Sequence, residues 1–205
     1  MHDVDPSLVA VRERQLRTRT AKRIGWKLGI GDRERIGDEI AVGHLTSLTH
    51  LQPGEGYERK QDEALHADAE VAVLIGDRGA IAGYGAALEL VDLRSPPDSP
   101  DDVVAANVFH RAVTFGPIRP SLPAGGVGAR LLVDGEQLDA DRAAGDLEDK
   151  VRSAARVLEA VGERLEPGDL VITGSIVQVP VEREGTVEAD LGRLGSVRLQ
   201  VLARS

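Results

Sequence analysis

The pattern of hydrophobic and polar positions along the 205-residue chain predicts mainly short β-strands. Apolar, strand-like runs occupy four parts of the sequence: residues 26–30, 68–75, 85–92 and most of the segment after residue 169. Asp134-Gly135 separates two further apolar runs and is a strong signal for a β-hairpin turn. The stretch from residue 31 to residue 66 is polar and rich in glycine, so we expect it to form loops.

Fewer segments have the spacing of an α-helix. The best begins after Asp146, a good N-cap, keeps apolar residues three and four positions apart, and ends at Pro167-Gly168. A basic amphipathic pattern predicts a second helix over residues 6–23, and Asp101 or Asp102 is expected to cap a short third helix. Many short strands with few helices predict an α+β fold with a β-rich core.

Composition limits the class of protein. Hydrophobic content of 41% and charged content of 29% are typical of a globular protein, and the lack of cysteine excludes disulfides and thiolate metal sites. A net charge of -9 with only 2% aromatic residues argues against a nucleic-acid partner. Without a signal-peptide pattern or a long apolar run, we expect a cytoplasmic protein with no membrane partner. We predict an N-terminal helical arm over residues 1–24 and a single β-rich domain over residues 25–205.

Three carboxylates on two strand-like runs are the first candidates for chemistry. Asp68 and Glu70 are two residues apart, so a strand would point both to one face. On spacing alone they are weak evidence for a site, because polar residues that alternate with apolar ones are common at a solvated strand edge. Glu89 interrupts an apolar strand, and a buried carboxylate costs several kcal/mol unless it is paired or bound to a cation. Oxygen ligands of this kind suit Mg²⁺ or Mn²⁺.

Other candidates are weaker by themselves. Lys27, between Trp26 and Leu28, is either an edge lysine that extends its ammonium to water or a desolvated lysine that acts as a general acid/base. Asn107 could bond a turn or line a pocket. The small residues Thr173–Ser175 end a strand where the backbone could approach a ligand closely.

Taken in chain order, these segments resemble the fumarylacetoacetate hydrolase superfamily. Within it they are most similar to the branch of 2-keto-4-pentenoate hydratases and 4-oxalocrotonate decarboxylases. The resemblance spans about residues 20–203 and depends on the order of five segments rather than on one motif: GWKLGI, ADAEVAVLI, AALELVDLR, VVAANV and LEPGDLVITGS.

The resemblance implies a mixed β-roll or barrel core with a few flanking helices, and one divalent metal, Mg²⁺ or Mn²⁺, on Asp68, Glu70 and Glu89. It implies a lyase of aromatic-compound catabolism that acts on a small 2-oxo or 2-hydroxydienoic acid, with hydration of a 2-keto-4-pentenoate-type substrate ahead of decarboxylation of a 4-oxalocrotonate-like acid. It also leads us to expect a homo-oligomer, a dimer or higher. The expected catalytic residues are Lys27 and Glu70, and the expected substrate-binding residues are Asn107, Thr173, Gly174 and Ser175.

Two alternatives stay open. The first is a carbon–carbon hydrolase of the acylpyruvate or fumarylacetoacetate type, for which His44 or His50 with a nearby glutamate would activate water. The second is a non-catalytic member that binds a ligand or a partner subunit. Departures from the family pattern motivate it: the segment after Lys27 is altered, Ala106 stands where aspartate is usual, and Asp68 stands where glutamate is usual.

Overall fold

The structure is a computed structural model that describes residues 6–17, 21–29, 40–52, 54–94, 99–143 and 145–203. Within these residues it contains three α-helices: α1 (Pro6–Arg17), α2 (Pro100–Ala105) and α3 (Leu147–Ala160). None of the helices in this part of the chain is long and apolar enough to cross a membrane.

Twelve β-strands account for most of the rest of the described chain. They are β1 (Arg23–Gly29), β2 (Ala41–Thr46), β3 (Gly56–Arg59), β4 (Leu65–Ile75), β5 (Ile81–Asp92), β6 (His110–Phe115), β7 (Gly128–Val133), β8 (Glu136–Arg142), β9 (Leu170–Ile172), β10 (Val177–Pro180), β11 (Gly185–Asp190) and β12 (Ser196–Ala203). The predicted α+β, β-rich fold with few flanking helices is therefore confirmed.

The strands form two sheets. The larger has the order β2-β1-β9-β4-β5-β6, with β10 also paired to β4, and the smaller has the order β3-β12-β11-β7-β8. All neighbours are antiparallel except β1 with β9 and β3 with β12. The main apolar core combines residues of both sheets with the apolar face of α3.

The larger sheet is strongly curled. Lys27 on β1 and Glu89 on β5 are separated by β9 and β4, so at about 4.8 Å per strand a flat sheet would place them roughly 14 Å apart. Their side chains nevertheless meet, with Lys27 Nζ 2.6 Å from Glu89 Oε1. The curl therefore turns one face of this sheet into a concave surface on which distant strands converge.

The predicted strands, hairpin and main helix are confirmed, with changed boundaries. The strands predicted at residues 68–75 and 85–92 extend to the full lengths of β4 and β5. Asp134 and Gly135 both have positive φ, 52° and 82°, as a two-residue type I′ turn requires between β7 and β8. Asp146 caps α3, its side chain accepting a hydrogen bond from the Glu148 N–H.

Four expectations about boundaries were wrong. α3 ends at Ala160 rather than at Pro167, because Gly162, at φ 73°, turns the chain out of the helix. α1 ends at Arg17 rather than at residue 23, since Arg23 already begins β1. Ser99, rather than Asp101 or Asp102, caps α2.

The fourth wrong expectation concerns the stretch from residue 31 to residue 66, which contains β2 and β3 instead of loops alone; its residues 31–39 lie outside the described part of the chain. β2 and β3 are short edge strands of six and four residues, and they depend on pairing with β1 and β12.

Candidate metal centre

Asp68, Glu70 and Glu89 converge on the concave face of the larger sheet. Asp68 lies opposite Glu89 in the β4–β5 pairing, and Glu70 is two residues further along β4, so all three side chains point to the same side. Each offers a carboxylate oxygen, and these atoms lie within 4.8 Å of one another. All three residues are buried, and Glu89 is completely so.

The triad rests on a small apolar cluster that is separate from the main core. The neighbouring residues on the same faces of β4 and β5, Ala72 and Ala87, pack with residues of β2, β6 and β9, namely Leu45, Val113 and Ile172. Because these apolar side chains pack next to the carboxylates, water cannot solvate the carboxylates from the side of this cluster. The low dielectric strengthens every charge interaction among them.

Glu89 receives two strong hydrogen bonds on one oxygen. Lys27 Nζ and His110 Nδ1 each lie 2.6 Å from Glu89 Oε1. Oε2 of the same carboxylate is buried and forms no hydrogen bond within the described residues. Lys27 is itself 3% exposed and donates a second hydrogen bond, of 2.7 Å, to the Val108 carbonyl. This settles the environment of Lys27, which is desolvated in the site and does not reach out to water.

Glu70 is held by a break in the neighbouring strand. β9 and β10 both pair with the same edge of β4, and residues 173–176 between them leave the ladder opposite Glu70. There the Gly174 N–H donates to Glu70 Oε2 at 2.7 Å, with Gly174 at φ 91°, a conformation that a side chain would strain. The neighbouring Thr173 hydroxyl donates to the Val71 carbonyl at 3.2 Å.

Asp68 lies at the more open end of the triad. Gln178 Nε2, on β10, donates to Asp68 Oδ1 at 2.7 Å, and the Ser175 hydroxyl also hydrogen-bonds to Asp68. Both Gln178 and Ser175 are exposed, so the site opens toward solvent on this side. The three residues of the Thr173–Ser175 segment therefore contact β4 at or next to the triad, while their predicted contact with substrate stays a prediction.

The charges of the three carboxylates are poorly compensated. Burial, together with the negative charge of Glu89, raises the pKa of Asp68 to about 7. Burial and the charges of Glu89 and Asp68 also raise the pKa of Glu70 well above its ordinary value. Burial on its own would raise the pKa of Glu89, but Lys27 and His110 outweigh it and lower that pKa. The positive charge of Lys27 thus offsets the negative charge of one carboxylate. The other two carboxylates still carry a large free-energy cost when they are ionised.

These properties fit a divalent cation. The candidate donors are all carboxylate oxygens, which hard cations such as Mg²⁺ and Mn²⁺ prefer. In addition, Glu89 Oε2 is buried with no hydrogen-bond partner among the described residues. A cation at this place would also supply the positive charge that Asp68 and Glu70 lack. The residues that would hold it are Asp68, Glu70 and Glu89.

Asn107 has a different position from the one that its predicted role in substrate binding requires. Its Oδ1 accepts hydrogen bonds from the His44 backbone N–H, at 2.8 Å, and from Gln15 Nε2, at 2.9 Å. Its Nδ2 donates to the His44 carbonyl at 3.0 Å. The amide is thus occupied in joining its own turn to β2 and α1, and a direct contact with substrate stays a prediction.

Several residues of the site were not predicted as site residues. His110 begins β6 and contacts Glu89, and Gln178 contacts Asp68. Lys150, half-buried on α3, donates to the Thr173 carbonyl at 3.2 Å. Burial lowers the pKa of Lys150, and the negative charge of Glu70 opposes this shift.

Gly43 faces Lys27 in the β1–β2 pairing, and a Cβ there would lie 2.9 Å from Lys27 Cγ. Only Gly43 had a local signal, because a glycine inside a strand often marks a close approach.

The fold and the acidic site together define a β-rich protein with a buried group of carboxylates that could hold a divalent cation. The sequence model of the fumarylacetoacetate (FAA) hydrolase C-terminal family matches residues 38–202. The chain therefore belongs to the fumarylacetoacetate hydrolase family, and the resemblance noted from its motifs is confirmed. No curated protein matches the sequence.

Solved structures with the same fold include three enzymes. A 4-oxalocrotonate decarboxylase from Pseudomonas putida G7, in complex with magnesium and adipate, has a TM-score of 0.81 at 19% identity, covering 95% of this chain and 86% of that one. A 5-carboxymethyl-2-hydroxymuconate delta-isomerase from Mycobacterium smegmatis has a TM-score of 0.67 at 18% identity, with 90% and 82% covered. A fumarylpyruvate hydrolase from Pseudomonas aeruginosa, with Mn²⁺ and pyruvate, has 0.64 at 18%, with 90% and 91% covered. At these identities the likeness concerns the fold.

Proposed function

We propose that the chain is a divalent-metal-dependent lyase that acts on a small 2-oxo or 2-hydroxydienoic acid of aromatic catabolism, with hydration of a 2-keto-4-pentenoate-type substrate ahead of decarboxylation. The observation that carries the proposal is the buried triad of Asp68, Glu70 and Glu89 with Lys27 hydrogen-bonded to it. Three buried carboxylates are costly to a fold that does not use them. The fold of a decarboxylase solved with magnesium is consistent with this class of reaction.

The chemistry divides between the cation and Lys27. Bound on the triad, Mg²⁺ or Mn²⁺ would polarise the carboxylate and keto oxygens of a 2-oxo acid and favour negative charge on the keto oxygen. The ammonium of Lys27 has three N–H donors, and Glu89 Oε1 and the Val108 carbonyl take two of them. Among the described residues the third has no partner, so it could bond a substrate oxygen or supply a proton from Nζ. Because Lys27 is desolvated, bulk water does not compete with that transfer.

The surroundings of the triad would orient the substrate. The Gly174 N–H already directs Glu70, and the exposed Ser175 and Gln178 mark the open side by which a small acid would enter. Lys150, which donates to the Thr173 carbonyl, adds positive charge near Glu70, which favours an anionic substrate.

The test is turnover of 2-hydroxypenta-2,4-dienoate by the full chain with added Mg²⁺ or Mn²⁺, followed by loss of the dienoate absorbance. Activity that disappears on removal of the metal, and in Lys27→Met, supports the proposal. Release of carbon dioxide from 4-oxalocrotonate would shift the assignment to decarboxylation. Absence of both activities, with no metal bound by calorimetry, would overturn it in favour of a non-catalytic member.

The hydrolase alternative has less support. Within the described residues, His50 contacts Gln52 and the Phe115 ring and forms no hydrogen bond or ion pair with a glutamate. The backbone of His44 is bonded to Asn107. A hydrolase would release pyruvate or oxalate together with a second acid from an acylpyruvate, and product analysis separates it from a lyase.

A further inference from the structure

The orientation of Glu89 depends on two donors from different strands. Lys27 on β1 and His110 on β6 both bond the same oxygen, Oε1, at 2.6 Å. Oε2 is left without a partner in the described part of the chain. A completely buried carboxylate has no water to orient it, so these two hydrogen bonds decide which oxygen stays available to a cation.

His110 is fixed in turn by Thr49. The ring's Nε2 lies 2.8 Å from the Thr49 hydroxyl, and the side chain is 2% exposed. Since a carboxylate only accepts, Nδ1 must carry the hydrogen, so in the neutral ring Nε2 accepts from the hydroxyl. The other contact of that hydroxyl, with the Thr46 carbonyl, is longer at 3.2 Å. Glu89 therefore determines the tautomer, and the hydrogen bond to Thr49 fixes the orientation of the ring.

An uncommon turn places both donors. Asn107, Val108 and Phe109 have φ of 55°, 52° and 66°, in the left-handed region that non-glycine residues, and β-branched valine above all, rarely adopt. The carbonyl of Val108 accepts from Lys27, and His110 follows the turn directly. Such conformations cost about 1–3 kcal/mol each and persist where surrounding contacts hold them, here the hydrogen bonds of Asn107 to β2.

We propose that His110 is a positioning residue, which holds Glu89 so that the triad is preorganised for a divalent cation, with Thr49 fixing the orientation of its ring. The inference rests on the proposed metal-dependent function, but it concerns residues of this chain that the carboxylate pattern did not reveal. Groups that orient a ligand carboxylate through a hydrogen bond typically change metal affinity 10- to 100-fold when removed.

Two substitutions of His110 that are nearly isosteric with each other separate the effect of the hydrogen bond from the effect of losing the ring. In His110→Asn the amide nitrogen can occupy about the place of Nδ1 and donate to Glu89, whereas His110→Leu has the same branching and no donor. Thr49→Val removes only the hydroxyl that fixes the ring. The matched control is Thr114→Val, because the Thr114 hydroxyl is buried on the core side of β6 with no hydrogen-bond partner among the described residues.

The measurement is calorimetric titration of metal-free protein with Mn²⁺ at constant pH, alongside thermal unfolding of each metal-free variant. We expect His110→Leu to weaken Mn²⁺ binding about 10- to 100-fold and Thr49→Val to weaken it severalfold. His110→Asn should stay within about threefold of the wild type, and Thr114→Val should equal it. Rescue by asparagine is the result that a purely structural role would not produce.

The outcomes distinguish this inference from the proposed function. If the wild type binds Mn²⁺ and His110→Leu binds it equally well, His110 does not position the triad, while the metal function stands. The same holds if the asparagine and leucine variants lose affinity equally. If His110→Leu fails to fold, the other two variants decide. The proposal then requires that Thr49→Val bind Mn²⁺ severalfold more weakly than the wild type while His110→Asn stays within about threefold of it. A Thr49→Val variant that binds Mn²⁺ as tightly as the wild type would refute the proposal. A wild type that binds no Mn²⁺ overturns both proposals.

Discussion

The paired strands β4 and β5 carry opposite kinds of side chain on their two faces. Toward the smaller sheet, alternate residues such as Val71 and Leu88 are completely buried in the main core. Toward the concave side, the residues between them include Asp68, Glu70 and Glu89, which are equally buried but charged. The same backbone ladder thus supports one face that stabilises the fold and one face whose buried charges destabilise it unless a cation offsets them.

The largest expected effect lies on the core face. Leu88→Ala, next to Glu89 along β5, should lower the free energy of unfolding by about 2–5 kcal/mol, since it opens a cavity at a completely buried position. Denaturant titration measures the change. The control is Leu138→Ala at an exposed position of β8, where we expect less than about 0.5 kcal/mol. A Leu88→Ala variant that lost metal affinity without losing stability would contradict the division between the faces.

On the concave face we expect substitutions to change the affinity for a metal ion more than the stability of the fold. Glu89→Gln should weaken Mn²⁺ affinity by about 100-fold, or about 2.7 kcal/mol, because it removes a charged ligand while nearly keeping its shape. Glu63→Gln is the matched control: Glu63 is also buried, but it bonds Tyr57 and Arg111 away from the triad. Calorimetry should show an unchanged Kd for Glu63→Gln even where its stability falls. Equal losses of affinity in the two variants would refute the assignment of Glu89.

Asp92, at the end of β5, shows a buried carboxylate that stabilises the fold. Burial alone would raise its pKa, but hydrogen bonds from the Arg94 N–H and the Arg111 guanidinium lower it. Asp92 therefore stabilises the protein above the pKa of an unfolded aspartate, and this contribution is lost as the pH falls through the lower folded-state value. Asp92→Asn should cost about 1–2 kcal/mol at pH 7.

The pH dependence provides the check on Asp92. In denaturant titrations the difference between Asp92→Asn and the wild type should shrink as the pH falls below about 4. Asp77→Asn, at an exposed aspartate, should differ very little in stability from the wild type, both at pH 7 and below about pH 4. A cost for Asp92→Asn that stayed constant down to pH 2 would mean that the charge of Asp92 has no part in its contribution.

The smallest effect concerns two buried threonines. The Thr114 hydroxyl has no partner among the described residues, so Thr114→Val should leave stability unchanged or raise it by up to about 1 kcal/mol. Thr173→Val removes the hydrogen bond to the Val71 carbonyl beside the triad and should cost about 1 kcal/mol. Thermal unfolding distinguishes the two, and a similar loss in both would show that Thr114 has a partner.

Much of the fold and the centre of the site could be predicted because their signals are local. Apolar, strand-forming runs identified β4 and β5, and Glu89 within one of them predicted a buried carboxylate, which the structure places on the same face as Asp68 and Glu70. The short edge strands β2 and β3 could not be predicted, since their stability comes from pairing with β1 and β12.

The residues around the triad escaped prediction for a similar reason. His110 meets Thr49 across 61 positions of sequence, and Lys27 meets the Val108 carbonyl across 81. Such contacts depend on the curl of the sheet and on the left-handed turn at residues 107–109. None of these three residues is a glycine, so the sequence gives no signal of a positive φ there. A single sequence contains no local pattern for either feature.

The most direct test of the metal centre is a crystal of the full chain soaked in Mn²⁺ and examined by anomalous scattering. We expect one strong peak per chain on the concave face, bonded to oxygen atoms of Asp68, Glu70 and Glu89, with Glu89 using Oε2 and keeping Oε1 on Lys27 and His110. A well-ordered triad without a peak in saturating Mn²⁺, or a peak that touches none of the three carboxylates, would contradict this expectation.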